Sequence, residues 1–220
     1  MTVGGCAGGP GRLLLATRNQ KKLTELRRIL RPPVTVLGLA DVRQFPELPE
    51  TGATFAENAS AKAVQAAAES GEISLADDSG LVVDALNGMP GVLSARWSGR
   101  HGDDAANNAL LLGQLIDVPD ERRGAEFICA LALATPGRDP IVVHGRWRGR
   151  IARQALGDNG FGYDPVFVPA ASEAAADGTG GQPRTSAQLG PAEKDALSHR
   201  ALAMAEMLPT LRRVLGLPPA

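Results

Sequence analysis

The sequence has few cysteines and few aromatic residues. Cys6 and Cys129 are the only 2 cysteines in 220 residues, which excludes the disulfide framework of small secreted proteins. Cys129 lies inside an apolar stretch, where we expect a small buried hydrophobic side chain, and Cys6 lies in a glycine-rich segment. This cysteine usage indicates a reducing compartment, so we expect a cytoplasmic protein.

The sequence also lacks an excess of charge and a long apolar run. Lysine and arginine total 23 against 24 aspartates and glutamates, a formal net charge of −1. Nucleic-acid-binding domains need a clear basic excess or face, so we expect no nucleic-acid partner. No apolar run approaches the roughly 20 residues of a membrane helix, and residues 1–11 lack the features of a signal peptide. We therefore expect no membrane association, and a disordered tail over residues 1–11.

The composition is that of an ordinary globular protein, with 44% hydrophobic and 21% charged residues. Strand and helix patterns alternate early, strands cluster in the middle, and helix returns at the end. This order predicts an α/β fold with a mixed, twisted central sheet flanked by helices. Because no internal repeat or linker is evident, we expect a single domain over residues 12–220, with two lobes around a cleft.

Hydrophobic periodicity and turn residues give the expected elements. Strands are predicted at residues 12–16, 34–37, 126–134, 141–152 and 165–168, and helices at 20–30, 54–71, 103–116 and 191–215. Thr54 and Glu57 have the spacing of a capping box, and Gly71 is suited to end that helix. Residues 170–184 are rich in alanine, glycine and serine, which predicts a mobile loop.

The pair Asp77-Asp78, followed by Ser79-Gly80, carries the strongest chemical signal. It separates two apolar runs, so we expect a strand–turn–strand unit with the carboxylates at its mouth. Carboxylates in such a place are costly to desolvate unless a cation or a hydrogen-bond network receives them. A solvated turn remains an alternative on this segment alone, since all four residues favour turns.

The segment Thr17-Arg18-Asn19-Gln20-Lys21-Lys22 connects a predicted strand to a predicted helix. The free N–H groups and the dipole at a helix N-terminus attract anions. Lys22, about one turn inside the helix, would reach a bound phosphate. The alternative is an ordinary capped helix with solvated lysines.

Two further segments carry side chains suited to a nucleotide. Phe161 and Tyr163 follow a glycine-rich stretch, where either ring would stack on a nucleobase or fill the core, and Asp164 precedes a proline that fixes its direction. Ser198 either lies within one long helix or caps a new one, which would place His199 and Arg200 in its first turn. Their side chains suit a keto-bearing base or a phosphate. The alternative is a solvated helix start.

Taken in order, these segments resemble the inosine triphosphate pyrophosphatase family. The resemblance includes Lys194, Met89-Pro90-Gly91 and the segment Ser94–Gly99, and it extends from about Arg12 to Leu215. That family hydrolyses non-standard purine nucleoside triphosphates such as ITP, dITP and XTP to the monophosphate and pyrophosphate. The resemblance therefore implies a Mg²⁺-dependent pyrophosphatase that is a homodimer and cleanses the nucleotide pool.

The family also implies site residues. Asp78 would hold Mg²⁺ and is the residue that the family assigns as proton acceptor, and Glu50 is the nearest candidate for a second metal ligand, although Pro49 stands where some relatives carry the acid. The implied substrate-binding residues are Thr17, Arg18, Asn19, Gln20, Lys21, Lys22, Ser79, Phe161, Gly162, Tyr163, Asp164, Lys194, His199 and Arg200. The chain departs from the family in carrying Arg18 where a small residue is usual, and in a longer segment at 170–184.

The implied mechanism is attack of water on the α-phosphorus, with no covalent nucleophile. Asp78 either takes the proton or, since a metal-bound carboxylate is a weak base, positions the water. Asp77 is either a supporting partner or structural. His199 or Arg200 is the candidate donor to the 6-keto oxygen of the base. A pyrophosphatase for pyrimidine or modified nucleotides and a non-hydrolysing nucleotide sensor remain the competing interpretations.

Overall fold

The computed structural model describes residues 11–18, 24, 34–46, 48–179 and 182–217. Its strands are β1 (Arg12–Leu15), β2 (Thr35–Gly38), β3 (Ser74–Val83), β4 (Gly124–Ala134), β5 (Ile141–Ile151) and β6 (Phe167–Pro169). Its helices are α1 (Phe55–Ser70), α2 (Asp104–Gln114), α3 (Ala170–Thr179), α4 (Pro191–Leu197) and α5 (His199–Val214). Apart from Thr24, which is helical, the helix predicted over 20–30 lies outside the described residues, as does the tail before Gly11.

The six strands form one mixed sheet in the order β2-β1-β3-β4-β5-β6. β1 pairs in parallel with β2 and with β3, whereas β3, β4, β5 and β6 pair antiparallel in succession. The predicted α/β fold with a mixed sheet is thereby confirmed. Among the described residues, no helix is long and apolar enough to cross a membrane.

The two faces of the sheet are covered by different helices, because successive side chains of a strand point to opposite faces. Helix α1 packs a stripe of alanines on one face, against alanines of β3 and β4. Helix α5 packs Ala203, Met204, Met207 and Leu211 on the other face, against leucines of β3 and β4 and against the buried Cys129. The small side chains of α1 bring that helix close to β3.

The predicted strand–turn–strand unit at Asp77-Asp78 is wrong, because β3 runs unbroken through both residues. Asp77 pairs with Leu131, and Asp78 pairs with Ala130 in the same antiparallel register as their neighbours. The turn preference of these residues is local, and β4 outweighs it by supplying backbone partners along the whole strand. Each carboxylate therefore lies on a different face of the sheet.

The predicted loop at 170–184 is also wrong over most of its length, because residues Ala170–Thr179 form helix α3. Alanine has the highest helix propensity, and five of the first seven residues of this helix are alanines. The predicted strand at 165–168 begins only at Phe167, since Asp164–Val166 form a 3₁₀ turn.

The helical end of the chain is broken at Ser198. This residue has extended dihedral angles, and its Oγ accepts a hydrogen bond from the N–H of Ala201 at 3.2 Å. Ser198 is thus the N-cap of α5, and of the two alternatives for this segment the second is confirmed. His199 and Arg200 consequently occupy the first turn of α5, which faces the sheet.

Candidate active site

The candidate site is a cleft of about 540 Å³ at the open edge of β3. β1 pairs with β3 only at Ser74 and Leu75. From Asp77 to Leu81 the described part of the chain places no strand on that edge, so residues of both faces reach one cavity. The volume lies in the range of sites for small molecules and cofactors.

The cleft collects the candidate residues that the sequence singled out in five separate segments. The cleft is lined, among others, by Thr17, Arg18, Glu50, Asp77, Asp78, Ser79, Phe161, Gly162, Tyr163, Asp164, Lys194, His199 and Arg200. Asn19, Gln20, Lys21 and Lys22 lie outside the described residues. The structure therefore brings together every described candidate, although their roles remain predictions.

Asp78 is held on the α1 face by two donors from that helix. Lys62 donates through Nζ to Oδ1 at 3.1 Å, and Asn58 donates through Nδ2 to Oδ2 at 3.1 Å. Asp78 is only 7% exposed. A buried carboxylate needs such partners to stay ionised, and an adjacent ammonium group favours the charged form.

Lys62 is the functional candidate that the sequence did not reveal. Its Nζ also donates to Oε1 of Glu50 at 2.9 Å, and Oε2 of Glu50 lies 3.6 Å from a guanidinium nitrogen of Arg96. Burial alone lowers the pKa of Lys62, but the carboxylates of Asp78, Asp77 and Glu50 outweigh burial and raise that pKa above its ordinary value. Lys62 is thus a fixed positive charge between two acids.

A signal for Lys62 was present in the helix pattern. Asn58 and Lys62 are four residues apart, so they lie on one face of α1, next to the alanine stripe that packs on the sheet. Polar side chains beside a buried stripe indicate a polar partner on the strand beneath. Only the packing of α1 on β3 shows that this partner is Asp78.

The arrangement of Asp78 and Glu50 fits a divalent cation that arrives with its ligand. Both carboxylates already converge on one cation, the ammonium of Lys62, and carboxylate oxygens are the ligands that Mg²⁺ prefers. Within the described ranges, no group of three or more histidines, cysteines, aspartates or glutamates is placed to hold a metal. Mg²⁺ is commonly held by one or two carboxylates with substrate phosphates completing its shell, so these residues fit it.

The side chain of Asp77 lies on the face of β3 opposite to that of Asp78. Its Oδ2 accepts hydrogen bonds from Oγ of Ser79 at 2.8 Å and from Nε of Arg200 at 3.3 Å. Asp77 is 3% exposed and Arg200 is equally buried. The pair joins β3 to the first turn of α5, so Asp77 fixes the position of Arg200 in the cleft.

Phe161 forms an aromatic wall beside two cations. Nζ of Lys194 lies 5.1 Å and Cζ of Arg200 lies 5.3 Å from the centre of its ring. Such placement over a ring face is a cation–π arrangement. Phe161 and the two cations therefore form one wall of the cleft that combines an aromatic ring with positive charge.

Asp164 holds Phe161 and Lys194 in place through hydrogen bonds. Its Oδ2 accepts hydrogen bonds from the N–H of Phe161 at 2.8 Å and from Nζ of Lys194, while Oδ1 accepts from Oγ of Ser186 at 2.8 Å. Tyr163 is 3% exposed and donates its hydroxyl to the carbonyl of Ser94 at 2.9 Å. Burial, and secondarily the charge of Asp104, raises the pKa of Tyr163, so its hydroxyl stays a donor. Phe161 is the better placed of the two rings for stacking.

His199 is positioned by the sheet beneath it. Its ring stacks on Phe127 with centroids 4.9 Å apart and planes 10° apart. A Cβ atom at Gly145 would lie 1.9 Å from the carbonyl oxygen of His199, so only glycine allows α5 to approach β5 this closely. The sequence does not mark Phe127 and Gly145 as functional, because only the fold shows that both lie against His199.

Fold and cleft together define an α/β protein whose site suits a ligand with both a planar ring and several negative charges, as nucleotides have. The model of the Ham1 family matches residues 13–210. The chain is 60% identical over 205 residues to the dITP/XTP pyrophosphatase of Mycobacterium tuberculosis, with 91% of this chain and 95% of the relative covered. The chain therefore belongs to the Ham1 family.

Solved structures agree with this assignment. The nucleoside-triphosphatase, or dITP/XTP pyrophosphatase, of Mycobacterium abscessus is 57% identical and superposes with a TM-score of 0.72, over 90% of this chain and 99% of the other. The HAM1 protein of Coxiella burnetii is 39% identical with a TM-score of 0.79, over 92% of this chain and 98% of the other. The family resemblance inferred from the sequence motifs is thereby confirmed.

Proposed function

We propose that this chain hydrolyses non-standard purine nucleoside triphosphates, namely ITP, dITP and XTP, to the monophosphate and pyrophosphate. The observation that carries the proposal is a single cleft with an acid–lysine centre at one side and an aromatic wall flanked by cations at the other. The names of the relatives that are 60% and 57% identical support the same substrates.

The triphosphate is assigned to the side of the cleft where β1 ends. Thr17 and Arg18 line the cleft there, and Asp78 lines the same cleft. The segment that follows them, Asn19 to Lys22, completes the phosphate cradle on the strength of the family resemblance. Lys62 contributes a fixed positive charge from α1, because its ammonium already stands between Asp78 and Glu50.

Asp78 would hold Mg²⁺, with Glu50 as the second carboxylate. When bound with the triphosphate, Mg²⁺ supplies positive charge that neutralises the phosphate oxygens and the pyrophosphate leaving group. Hydrolysis joins the oxygen of water to the α-phosphorus and breaks its bond to the oxygen that bridges to the β-phosphorus. Asp78 accepts a hydrogen bond from the attacking water and so orients it, and the proton that the water loses passes to solvent.

The base is assigned to the aromatic wall. Phe161 stacks on the purine, and His199 or Arg200 donates to the 6-keto oxygen of hypoxanthine or xanthine. Adenine carries an amino group at that position, so two donors would face each other and a buried group would lose its partner, at a cost of roughly 1–3 kcal/mol. Lys194, held by Asp164, adds a further donor at the same edge.

We also propose, from the resemblance and the cysteine usage, a cytoplasmic homodimer in which residues 12–220 form one two-lobed domain. Cys129 is free and buried in the core, which supports a reducing compartment.

Incubation of the purified protein with Mg²⁺ and single nucleotides tests the proposed reaction. We expect pyrophosphate and monophosphate from ITP, dITP and XTP, and a kcat/KM for ATP lower by about 5- to 150-fold, the factor equivalent to 1–3 kcal/mol. Chelation with EDTA should abolish turnover and added Mg²⁺ should restore it. Release of orthophosphate would exclude the proposal, preference for dTTP would favour a pyrimidine pyrophosphatase, and binding of ITP without turnover would favour a sensor.

A further inference from the structure

Two side chains of helix α2 bind Gly162, a backbone position of the aromatic wall, one at its N–H and the other at its C=O. Oδ2 of Asp104 accepts a hydrogen bond from the N–H of Gly162 at 2.8 Å, and Nδ2 of Asn108 donates to the carbonyl of Gly162 at 2.9 Å. Asp104 and Asn108 are four residues apart, so their side chains leave the helix on the same face. These two residues are here called the α2 clamp.

The clamp acts at the residue that sets the direction of the wall. Gly162 has a φ of +63°, a left-handed conformation that glycine adopts without strain, and it joins Phe161 to Tyr163. The two bonds hold the two peptide groups that meet at the Cα of Gly162, so a change in φ or ψ of this residue would break one of them. The ring of Phe161, one residue away, therefore has its orientation fixed from α2.

The surroundings make these hydrogen bonds strong. Asn108 is 8% exposed, so its bond to Gly162 is shielded from water. Asp104 lines the cleft itself, and a carboxylate acceptor makes a stronger hydrogen bond than a neutral one. The other anchors of the wall hold the residues on either side of Gly162: Phe161 is bound at its N–H and its C=O by Asp164, and the hydroxyl of Tyr163 is bound by Ser94. The clamp adds the bonds at the N–H and the C=O of Gly162 itself.

We propose that Asp104 and Asn108 are positioning residues for recognition of the purine: they hold the backbone on both sides of the Gly162 Cα so that Phe161 presents its ring to the base. This inference rests on the proposed function, since it assigns the base to Phe161. The two hydrogen bonds of the clamp go to Gly162, on the side of the cleft that is assigned to the base. It acts on binding of the base and leaves the phosphate side of the cleft unchanged.

Helix α2 offers a matched control for each member of the clamp. Asp103 is the N-cap, and its side chain accepts from the N–H of Ala106 in the same helix. Asn107 is as buried as Asn108, but it bonds Ser98 and Ala95 in another segment. Substitution of Asp103 or Asn107 by alanine weakens α2 without releasing Gly162.

The test compares Asp104→Ala and Asn108→Ala with Asp103→Ala and Asn107→Ala. The measurements are KM and kcat for ITP, the inhibition constants of IMP and of pyrophosphate, and the melting temperature. We expect the clamp variants to raise KM for ITP and the inhibition constant of IMP by about tenfold each, the factor for one lost buried hydrogen bond. The inhibition constant of pyrophosphate should change less than twofold. In the control variants both inhibition constants should stay within twofold of wild type.

Asp104→Asn gives a rescue, because its amide oxygen still accepts from the N–H of Gly162, and we expect IMP inhibition within about threefold of wild type. The proposal is overturned if IMP inhibition is unchanged in the alanine variants, if IMP and pyrophosphate inhibition weaken equally, or if the controls lose as much. A wild-type protein that neither hydrolyses ITP nor binds IMP would instead overturn the proposed function, and the clamp assignment with it.

Discussion

Asp78→Asn is expected to lower kcat for ITP by at least about a hundredfold, the loss that follows when a reacting group is misplaced by about 1 Å. The substitution keeps the shape of the side chain but removes the charge that orients water and attracts the cation. The amide nitrogen would also face one of the two donors, Asn58 or Lys62, that now bond separate oxygens of the carboxylate.

Steady-state kinetics at saturating Mg²⁺, with circular dichroism to verify folding, measure this effect. Asp120→Asn is the matched control, since Asp120 is an exposed carboxylate whose guanidinium partner, Arg153, also lies at the surface. We expect the control to keep wild-type turnover, because exposed ion pairs contribute little. Turnover of Asp78→Asn close to wild type would remove Asp78 from the mechanism.

Gly145→Ala is expected to be the most damaging substitution outside the cleft. The new Cβ would lie 1.9 Å from the carbonyl oxygen of His199 and 2.5 Å from the backbone nitrogen of Ala203, neither of which can swing away like a side chain. The start of α5 must then move off β5, and His199 and Arg200 move with it. We expect a loss of about 1–3 kcal/mol in the free energy of unfolding, as for overpacked cores, and at least a hundredfold fall in kcat/KM for ITP.

Urea unfolding and ITP kinetics check the two effects separately. Gly113→Ala serves as the control, because a Cβ at Gly113, inside α2, meets nothing within 4 Å. Alanine is the better helix former by about 1 kcal/mol, so this variant should be at least as stable as wild type and equally active. Wild-type kinetics in Gly145→Ala would show that the close approach of α5 to β5 does not position His199 and Arg200.

The elements that the sequence predicts correctly are those with strong local signals. Thr54 caps α1 and accepts from the N–H of Glu57, and Gly71 ends that helix at a φ of +75°. Ser198 likewise caps α5, as the second of the two alternatives for that segment predicts. Cap residues and apolar periodicity act over a few residues, so they can be read without knowledge of the fold.

The incorrect predictions concern segments in which local preferences do not decide the structure. Asp77 and Asp78 favour turns, yet they lie within a strand because β4 pairs with both, and because Arg200, 123 residues away, and Lys62, on α1, receive their side chains. Residues 170–184 contain enough glycine to suggest a loop, although the alanines of 170–176 are sufficient to start α3.

Only part of the candidate site could be predicted from the sequence, because motifs reveal short segments and not the contacts between distant ones. Motifs identified Asp78, Phe161 and Arg200, since each stands in a short segment with an unusual composition. Lys62 and the α2 clamp carry no such local mark, because their partners lie in other segments, 12 to 58 residues distant in sequence. Positioning residues of this kind become visible only when helices and strands are packed together.

The position of bond cleavage tests most directly whether one cleft aligns water with the α-phosphorus. Hydrolysis of ITP in water enriched in ¹⁸O, followed by mass spectrometry of both products, locates the incoming oxygen. We expect one ¹⁸O atom in IMP and none in pyrophosphate, because water attacks the α-phosphorus and pyrophosphate leaves with the bridging oxygen. Label in pyrophosphate with unlabelled IMP would place the attack on the β-phosphorus and contradict the assignment of Asp78 to water at the α-phosphorus.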